Sequence, residues 1–268
     1  MESRLGQTAS LSIIIPAYNE EVRLPALLEK LPVEAGKAAA DAGMTLHEVL
    51  AVDDGSTDRT RQLLRAAAVE NERLHPVFPY DRNRGKGAAF AAGALEADGD
   101  YVLLADVDLS TPLGELGKLT AALEAGADVA IGSRAVAGAV VERGPLHRKV
   151  TGNAFNGAVR LLTGLRVRDT QNGFKLFPTE AVKRYAAQQT CPGFAFDVEL
   201  LMRADREGLR IAEVPIVYTH DLRSSVRVAS ASSQMLREIA TLAYRLRVRG
   251  RRADGAQRLA VAAAEDPD

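Results

Sequence analysis

Two acidic residues, Asp106 and Asp108, directly follow the short apolar segment Tyr101–Ala105. The segment is predicted to be a buried strand, and in an extended chain side chains two residues apart share one face, with Cα atoms roughly 6.6 Å apart. Two carboxylates on one face form a hard oxygen site suited to Mg²⁺ or Mn²⁺, which completes its shell with water and substrate phosphates. The D-x-D pattern is common by chance, but its position after a buried strand favours a metal–diphosphate site over a structural turn.

Adjacent carboxylates also end the apolar segment Glu48–Val52, where Asp53 and Asp54 open the sequence DDGSTD (Asp53–Asp58). Carboxylates at the end of a buried strand are costly unless they bind a partner or cap a helix. The hydroxyl residues that follow could cap the next helix, but capping does not account for both carboxylates. A carboxylate here could accept a hydrogen bond from the imide of uracil or the amino group of guanine.

The first apolar segment ends in PAYNE, residues 16–20. Pro16 is expected to end the strand ladder because it has no N–H to donate, and Asn19 is expected to cap the following helix. This leaves Tyr18 and Glu20 at the carboxyl end of the strand, available to a ligand. A plain strand-to-helix turn is the alternative.

A third loop, Arg84-Gly85-Lys86-Gly87, precedes the small-residue helix Ala88–Ala97. The spacing differs from that of a Walker A loop. Two glycines still let the backbone approach a ligand, and the helix dipole together with Lys86 favours an anion. A helix start that needs glycine for its turn is the alternative.

Short apolar segments alternate with helical patterns from about Leu11 to Val217, which predicts an α/β fold with a mostly parallel sheet flanked by helices. The predicted strands are Leu11–Ile15, Glu48–Val52, Leu74–Phe78, Tyr101–Ala105, Asp128–Ile131 and Ile211–Val217. The predicted helices are Leu24–Leu31, Thr57–Val69, Gly87–Ala97, Pro112–Ala125, Pro145–Leu162 and Phe196–Arg206. Residues 135–144 are predicted to form a mobile loop and residues 169–178 an irregular segment. Ligands of such sheets bind beyond the carboxyl ends of the strands, where the acidic loops lie.

Composition narrows the classes of protein. The 268 residues include 34 basic and 35 acidic side chains, a near balance that argues against a dedicated nucleic-acid binder. Cys191 is the lone cysteine, which excludes a disulfide framework and a cysteine-based zinc cluster. No apolar run reaches the ~18 residues that a membrane span needs, and the first ten residues lack the apolar core of a signal peptide. We therefore expect a cytoplasmic protein.

Together the motifs resemble the inverting family 2 glycosyltransferases of the GT-A fold, and among them the dolichyl- or polyprenyl-phosphate sugar synthases, especially the dolichyl-phosphate glucosyltransferases. The resemblance runs from about Leu11 to Tyr244. The motifs that carry it, in the family's order, are IIIPAYNE (Ile13–Glu20), VDDGSTD (Val52–Asp58), NRGKGAA (Asn83–Ala89), ADVD (Ala105–Asp108), GSR (Gly132–Arg134), RDTQNGFKLF (Arg168–Phe177) and FAFDVELL (Phe194–Leu201). Each motif alone is weak evidence for the family, but all seven motifs in the family's order are highly specific for it.

The resemblance implies roles for individual residues. It implies that the nucleoside of the donor is held by Pro16, Tyr18, Glu20 and Asp54. It implies that Asp106 and Asp108 hold Mg²⁺ or Mn²⁺ on the diphosphate. Lys86, from the glycine-containing loop described above, is expected to bind the nucleotide sugar as well. The resemblance implies that three arginines face the donor diphosphate or the acceptor phosphate: Arg134, Arg148 and Arg223. Gln171, in the segment that looks more like the glucosyl than the mannosyl synthases, is expected on the acceptor side.

The implied reaction is metal-dependent transfer of glucose from UDP-glucose, with inversion, to a polyprenyl or dolichyl phosphate. A phosphate acceptor is already anionic and needs positioning rather than a base, whereas a hydroxyl acceptor needs a carboxylate to take its proton. Asp197 is the first candidate for that base and Asp169 the second, so the predicted catalytic residues are Asp108, Arg134 and Asp197; capping of a helix is the alternative role of Asp197. Other functions left open are a GDP-mannose-dependent mannose synthase, a transferase to a soluble acceptor, and a non-catalytic nucleotide-sugar-binding subunit.

The C-terminal region is basic, with eight arginines and two acidic residues between positions 221 and 252. Apolar residues recur there at helical spacing: Met235, Ile239, Leu242 and Leu246. Such a helix can lie on an anionic membrane, or it can pack against its own domain with its charged face in solvent. The first alternative would place the protein peripherally on the inner face of the membrane. Two kinds of protein partner are left open: a second copy of the chain and a membrane protein.

We accordingly divide the chain into a disordered N-terminus (residues 1–10), a GT-A domain (11–220), the basic amphipathic segment (221–252) and a flexible tail (253–268). Within the domain we expect a nucleotide-sugar half over residues 11–134 and an acceptor half over residues 135–220.

Overall fold

A computed structural model of the chain describes residues 9–142, 146–219 and 235–246. The strands are β1 (Ser10–Ala17), β2 (Thr45–Asp53), β3 (Leu74–Val77), β4 (Tyr101–Leu104), β5 (Val129–Ser133), β6 (Val140–Glu142), β7 (Lys175–Pro178), β8 (Ile211–Pro215) and β9 (Val217–Thr219). The helices are α1 (Leu24–Asp41), α2 (Thr60–Glu70), α3 (Lys86–Glu96), α4 (Leu116–Glu124), α5 (Leu146–Thr163), α6 (Thr179–Ala187), α7 (Phe196–Arg206) and α8 (residues 235–246), with a 3₁₀ turn over Leu113–Glu115.

One seven-stranded sheet, in the order β3-β2-β1-β4-β7-β5-β8, forms the centre of the molecule. Its strands pair in parallel except β7, which runs antiparallel to both β4 and β5. The start of β7 therefore lies at the same edge as the carboxyl ends of its neighbours. A separate two-stranded parallel sheet joins β6 to β9.

Apolar side chains cover both faces of the central sheet. Because side chains alternate along a strand, Ile14 and Leu104 pack towards α3, α7 and α8, whereas Ile13 and Leu103 pack towards α1 and α4. The core is thus two apolar layers around one sheet, as a parallel sheet with helices on both sides requires. The α/β class with a mostly parallel sheet, predicted from the alternating segments, is confirmed.

Helix boundaries differ from the prediction mainly at Pro32. The predicted first helix ends at Leu31, but α1 continues through Pro32 to Asp41. Proline removes one helical hydrogen bond, yet the second half of α1 buries three alanines against the sheet. The burial of these alanines offsets the cost of the hydrogen bond lost at Pro32. Helix propensity alone does not predict this outcome.

Three predictions differ from the strands that the structure contains. Residues 169–178 are not wholly irregular, because they end in β7, and the predicted mobile loop over 135–144 contains β6. Pro16 does not end the first strand: it lies within β1 opposite Val52, and β1 continues to Ala17. These short elements are fixed by partners distant in sequence, such as β4 for β7, and carry little local signal.

Helix α8 packs against its own domain. Ile239 and Leu242 are buried in the apolar layer that also contains Phe196, so the apolar face of residues 235–246 packs on the domain. Contact of the C-terminal segment with a membrane remains a prediction. The arginines at 247, 249, 251 and 252 lie outside the described residues. Among the helices that the structure describes, none combines the length and apolar character needed to cross a bilayer.

The packing of α8 predicts that I239A lowers the free energy of unfolding by about 2–4 kcal/mol, because it leaves a cavity in the core. Tyr244, in the same helix, is 70% exposed, and Y244A should change stability by less than about 0.5 kcal/mol. Urea unfolding followed by circular dichroism measures both. Equal, small effects of the two substitutions would mean that α8 does not dock as described.

Candidate functional site

The sequence-predicted loops meet at one edge of the central sheet. Residues that follow β1, β2, β4 and β5 lie there because these strands are parallel. The segment before β7 joins them because β7 is antiparallel. A charged cluster forms at this edge, and the residues that compose it are Glu20, Arg23, Asp54, Lys86, Asp106, Asp108, Arg134, Asp169, Lys175 and Asp197.

Asp106 is held between a lysine and a glycine. Its Oδ1 lies 2.5 Å from Nζ of Lys86, the first residue of α3. On another side, a Cβ added to Gly173 would lie 2.3 Å from Oδ2 of Asp106, so only glycine allows this approach. Burial favours the neutral carboxyl, but Lys86, Lys175 and Arg134 outweigh it and lower the pKa of Asp106. Asp106 is therefore ionised, and its carboxylate is held in one orientation.

The Asp106–Asp108 pair sits in a turn rather than in an extended strand. Strand β4 ends at Leu104, and the N–H of Leu109 donates to the carbonyl of Asp106 at 3.0 Å. Leu109 has φ of +45°, an uncommon value for a residue with a side chain. The expected sharing of one strand face by the two carboxylates is therefore wrong, because the chain turns immediately after β4.

Asp108 is linked to Glu20 through an arginine that the sequence prediction missed. Nη1 of Arg23 lies 3.7 Å from Oδ2 of Asp108, and Nε of Arg23 donates to Glu20 at 2.6 Å. Burial raises the pKa of Glu20 more than Arg23 lowers it. Arg23 thus connects the loop after β1 with the acidic turn after β4.

Asp54 positions the loop that carries Lys86. Its two carboxylate oxygens accept hydrogen bonds from the backbone N–H groups of Arg84, at 2.8 Å, and Gly85, at 2.7 Å. Burial raises the pKa of Asp54 despite these two bonds. Gly85 has φ of +108° and packs on the carbonyl of Pro192, so a side chain is excluded there. A contact of Asp54 with a nucleoside remains a prediction.

The neighbouring carboxylate, Asp53, has a separate structural role. It is fully buried and pairs with Nε of Arg61 at 3.0 Å. Its other oxygen accepts from the backbone N–H of Ser56 at 3.1 Å. Asp53 therefore stabilises the turn after β2. Of the two adjacent carboxylates, Asp53 and Asp54, only Asp54 then needs to be explained by a ligand.

The loops after β1 and β2 are joined by polar contacts. Asn19, with φ of +53°, accepts from the N–H of Thr57 at 2.9 Å and donates its own N–H to Ser56. The N–H of Glu20 donates to Thr60 at 2.7 Å. Asn19 therefore connects two loops instead of capping a helix as predicted, and Tyr18 beside it is 41% exposed.

Arg134 and Asp169 form a bidentate pair. Nε and Nη2 of Arg134 donate to the two oxygens of Asp169 at 2.7 and 2.8 Å, and the guanidinium stacks on Tyr218, 4.9 Å from the ring centre. Burial acts against ionisation, but Arg134 outweighs it and lowers the pKa of Asp169. The side chain proposed to face a phosphate is thus oriented by a buried carboxylate.

Asp197, in the first turn of α7, pairs with Lys175 rather than capping the helix. Nζ of Lys175 contacts Oδ1 of Asp197 and also donates to the carbonyl of Asn172. Both side chains of the ion pair are buried, and burial raises the pKa of Asp197 more than Lys175 and Lys86 lower it. Lys175 was missed in the sequence, although a lysine inside the apolar segment Phe174–Phe177 is a signal that could have found it.

The acidic turn fits a divalent cation that is shared with a substrate. Among the described residues there is no group of three or more His, Cys, Asp or Glu side chains placed to hold a metal, but one or two carboxylates with substrate phosphates are an ordinary Mg²⁺ site. Three buried polar atoms of the adjoining loops have no hydrogen-bond partner within the part of the chain that the structure describes: Oγ of Ser110, Nε2 of Gln171 and Nδ2 of Asn172. The two amide nitrogens are donors, so a bound anionic group or water would satisfy them.

Two of the predicted site residues cannot be placed. Arg223 lies outside the described residues, and Arg148 belongs to α5 but its side chain is outside what the structure describes. Pro16 is buried in β1. The roles of these three remain predictions.

The packing of Gly173 predicts that G173A displaces the Asp106 carboxylate, because the added Cβ would overlap it. We expect the affinity for UDP in the presence of Mn²⁺ to fall about tenfold, because changes around a metal ligand typically cost 10–100-fold in metal affinity. G157A is the control, since nothing lies within 4 Å of a Cβ added at Gly157. Isothermal titration calorimetry measures both variants, and an unchanged affinity in G173A would contradict the prediction.

The Arg134–Asp169 pair predicts a pH-dependent contribution to stability. Because the folded protein lowers the pKa of Asp169 below its ordinary 3.8, the pair stabilises the fold above that value and is lost as the pH falls through the lowered pKa. D169N should reduce the free energy of unfolding by about 3 kcal/mol at pH 7, and the difference from wild type should shrink below pH ~4.

The exposed pair Asp128–Arg210 has the same bidentate pattern and provides the control. D128N should cost about 1 kcal/mol or less. Urea unfolding at pH 7 and pH 3 measures both; a D169N deficit that is the same at the two pH values would contradict this assignment.

Comparison with known proteins places the chain in a family. The profile of "Glycosyl transferase family 2" matches residues 12–190. The chain is 34% identical over 221 residues to the dolichyl-phosphate beta-glucosyltransferase of Homo sapiens, covering 79% of this chain and 68% of that protein. It is 32% identical over 244 residues to the polyprenol monophosphomannose synthase of Mycolicibacterium smegmatis, covering 89% and 87%.

A solved structure shares the fold. Glucosyl-3-phosphoglycerate synthase from Mycobacterium tuberculosis, in complex with Mn²⁺, UDP and glucosyl-3-phosphoglycerate, has a TM-score of 0.63 at 21% identity, covering 88% of this chain and 80% of that chain. The sheet order, the charged edge and these similarities lead to one conclusion: the chain belongs to glycosyl transferase family 2 and is a glycosyltransferase with the GT-A fold.

Proposed function

We propose that the chain transfers glucose from UDP-glucose, with inversion, to the phosphate of a polyprenyl phosphate such as dolichyl phosphate. Two relatives support the acceptor class: a dolichyl-phosphate beta-glucosyltransferase and a polyprenol monophosphomannose synthase, each at least 30% identical to the chain. The first supports glucose as the sugar. The fold neighbour that binds UDP with Mn²⁺ supports a uridine nucleotide and a divalent ion.

The observation that carries the phosphate acceptor is the occupation of both candidate bases. Asp197 is buried with Lys175 at its carboxylate, and Asp169 is buried with Arg134 bound to both oxygens. A hydroxyl acceptor would need one of them to take a proton. A phosphate monoester is already anionic at neutral pH, since its second pKa is roughly 6, and it can attack without a base.

The donor is proposed to lie over the carboxyl edge, between the joined loops after β1 and β2 and the acidic turn after β4. Tyr18, Glu20 and Asp54 are proposed to face the nucleoside. Asp106 and Asp108 would hold the divalent ion, which supplies positive charge that stabilises the departing diphosphate. Lys86, at the amino end of α3, adds a mobile cation at the same place.

The remaining residues are proposed to act on the acceptor. Arg134 has a guanidinium fixed by Asp169 and Tyr218, and its remaining N–H groups can bind an anionic phosphate. Gln171 carries a buried amide nitrogen that has no partner among the described residues, and a phosphate oxygen would satisfy it. Asp197 and Lys175 position this loop rather than react. Charge fixed in advance favours the transition state, because no reorganisation is needed as the diphosphate departs.

The test is the fate of the sugar. Radiolabelled UDP-glucose, Mn²⁺ and a polyprenyl phosphate in detergent should give label that extracts into organic solvent. D108N should lower this rate by about 10²–10³-fold, as the loss of one charge-stabilising group does. D41N, at an exposed ion pair on α1, should leave the rate unchanged.

The other functions give other results. Label transferred from GDP-mannose but not from UDP-glucose would replace the sugar in the proposal. Label that moves into a water-soluble product would overturn the lipid acceptor. Binding of UDP-glucose without turnover on any acceptor would overturn the enzyme assignment at this site.

A further inference from the structure

Lys86 occupies the position at Asp106 that a cation would take. Its ammonium lies 2.5 Å from Oδ1 of Asp106, and Asp197 and Asp108 add negative charge near it. Burial disfavours the charged amine, but these three carboxylates outweigh burial and raise the pKa of Lys86. The Asp106 carboxylate is thus already neutralised by a cation that belongs to the chain.

The carboxylate cannot turn freely away from Lys86. Gly173 closes one side of Asp106, where a Cβ would be 2.3 Å from Oδ2 and 2.5 Å from Oδ1. Lys175 and Arg134 add positive charge near the same group. A divalent ion that approaches Asp106 therefore meets an ammonium on the same carboxylate, and like charges at this distance repel.

Lys86 is the member of this pair that can move. Four rotatable bonds let its ammonium leave without any change in the backbone. The shorter side chain of Asp106 is more exposed (32% against 21%) but is blocked on one side by Gly173. The backbone itself is fixed, because Gly85 and Gly87 are packed against the segment from Cys191 to Gly193, and Asp54 holds the N–H of Gly85. Any exchange at Asp106 is therefore a side-chain motion of Lys86.

We propose that Lys86 competes with the divalent ion for Asp106 and is drawn to the diphosphate when the nucleotide sugar binds, so that metal and donor bind cooperatively. This inference rests on the proposed nucleotide-sugar donor. The diphosphate gives the displaced ammonium a new partner, so both cations are then satisfied. Without the diphosphate, the ion must bind against the charge of Lys86. Coupling of this kind is reciprocal: each ligand raises the affinity of the other by the same factor.

The test measures Mn²⁺ binding directly, by the electron paramagnetic resonance signal of the free ion, with no nucleotide present. K86M removes the competing charge at similar volume and should tighten Mn²⁺ binding about tenfold relative to wild type. K86R keeps the charge and should retain the weak binding of wild type. K118M, at an exposed lysine on α4, is the matched control and should also behave as wild type.

A second titration follows UDP at saturating Mg²⁺ by calorimetry. K86M should bind UDP about tenfold more weakly, because it loses a charge-assisted contact with the diphosphate. Opposite changes for Mn²⁺ and UDP in one variant would not result from general misfolding, and circular dichroism verifies the fold of each variant. Mn²⁺ affinity in K86M that equals or falls below that of wild type would overturn the proposal.

The two proposals fail in different ways. If wild type binds no UDP and glucosylates no lipid, the proposed donor and function are wrong. If wild type binds UDP and forms the lipid product, but the removal of Lys86 does not tighten Mn²⁺ binding in the absence of nucleotide, only the competition is wrong.

Discussion

The need to neutralise buried and half-buried carboxylates governs the functional edge of this protein. A carboxylate removed from water is costly unless a cation or hydrogen-bond donors accompany it. Three acidic residues at this edge each have a basic partner: Asp106 with Lys86, Asp169 with Arg134, and Asp197 with Lys175. The result is an edge dense in charge yet locally balanced, which favours a ligand that brings both a diphosphate and a cation.

One reversed strand supplies much of this balance. Because β7 is antiparallel between β4 and β5, the segment that precedes it reaches the edge where the parallel strands end. That segment brings Asp169 to Arg134 and the backbone of Gly173 to Asp106, and Lys175, the first residue of β7, reaches Asp197. A parallel β7 would place the same residues at the opposite edge, away from the acidic turn. The direction of a single four-residue strand therefore decides whether the cluster exists.

The ion pairs also bear on how glycosyl transfer can proceed. A base must be free to accept a proton, whereas a positioning group works best when its orientation is fixed. Asp169 and Asp197 are fixed by cations and suit the second role. In the donor loops, Asp54 is bound to backbone N–H groups and serves the placement of Lys86. These buried carboxylates thus fix the orientation of neighbouring groups before a substrate binds. This role is consistent with an acceptor that is already anionic.

The α/β class, most of the parallel strands and the acidic loops could be predicted from the order of residues, because apolar periodicity and motif residues are local properties of the chain. The family could also be recognised, because the order of its motifs along the chain can be read without a structure. The side-chain contacts of the site became known only from the folded structure. Arg23 contacts both Glu20 and Asp108, and Lys175 pairs with Asp197. A turn directly after β4 takes Asp106 out of the extended strand. Those contacts join residues far apart in sequence, and their energies depend on burial and direction, which exist only once the sheet has formed.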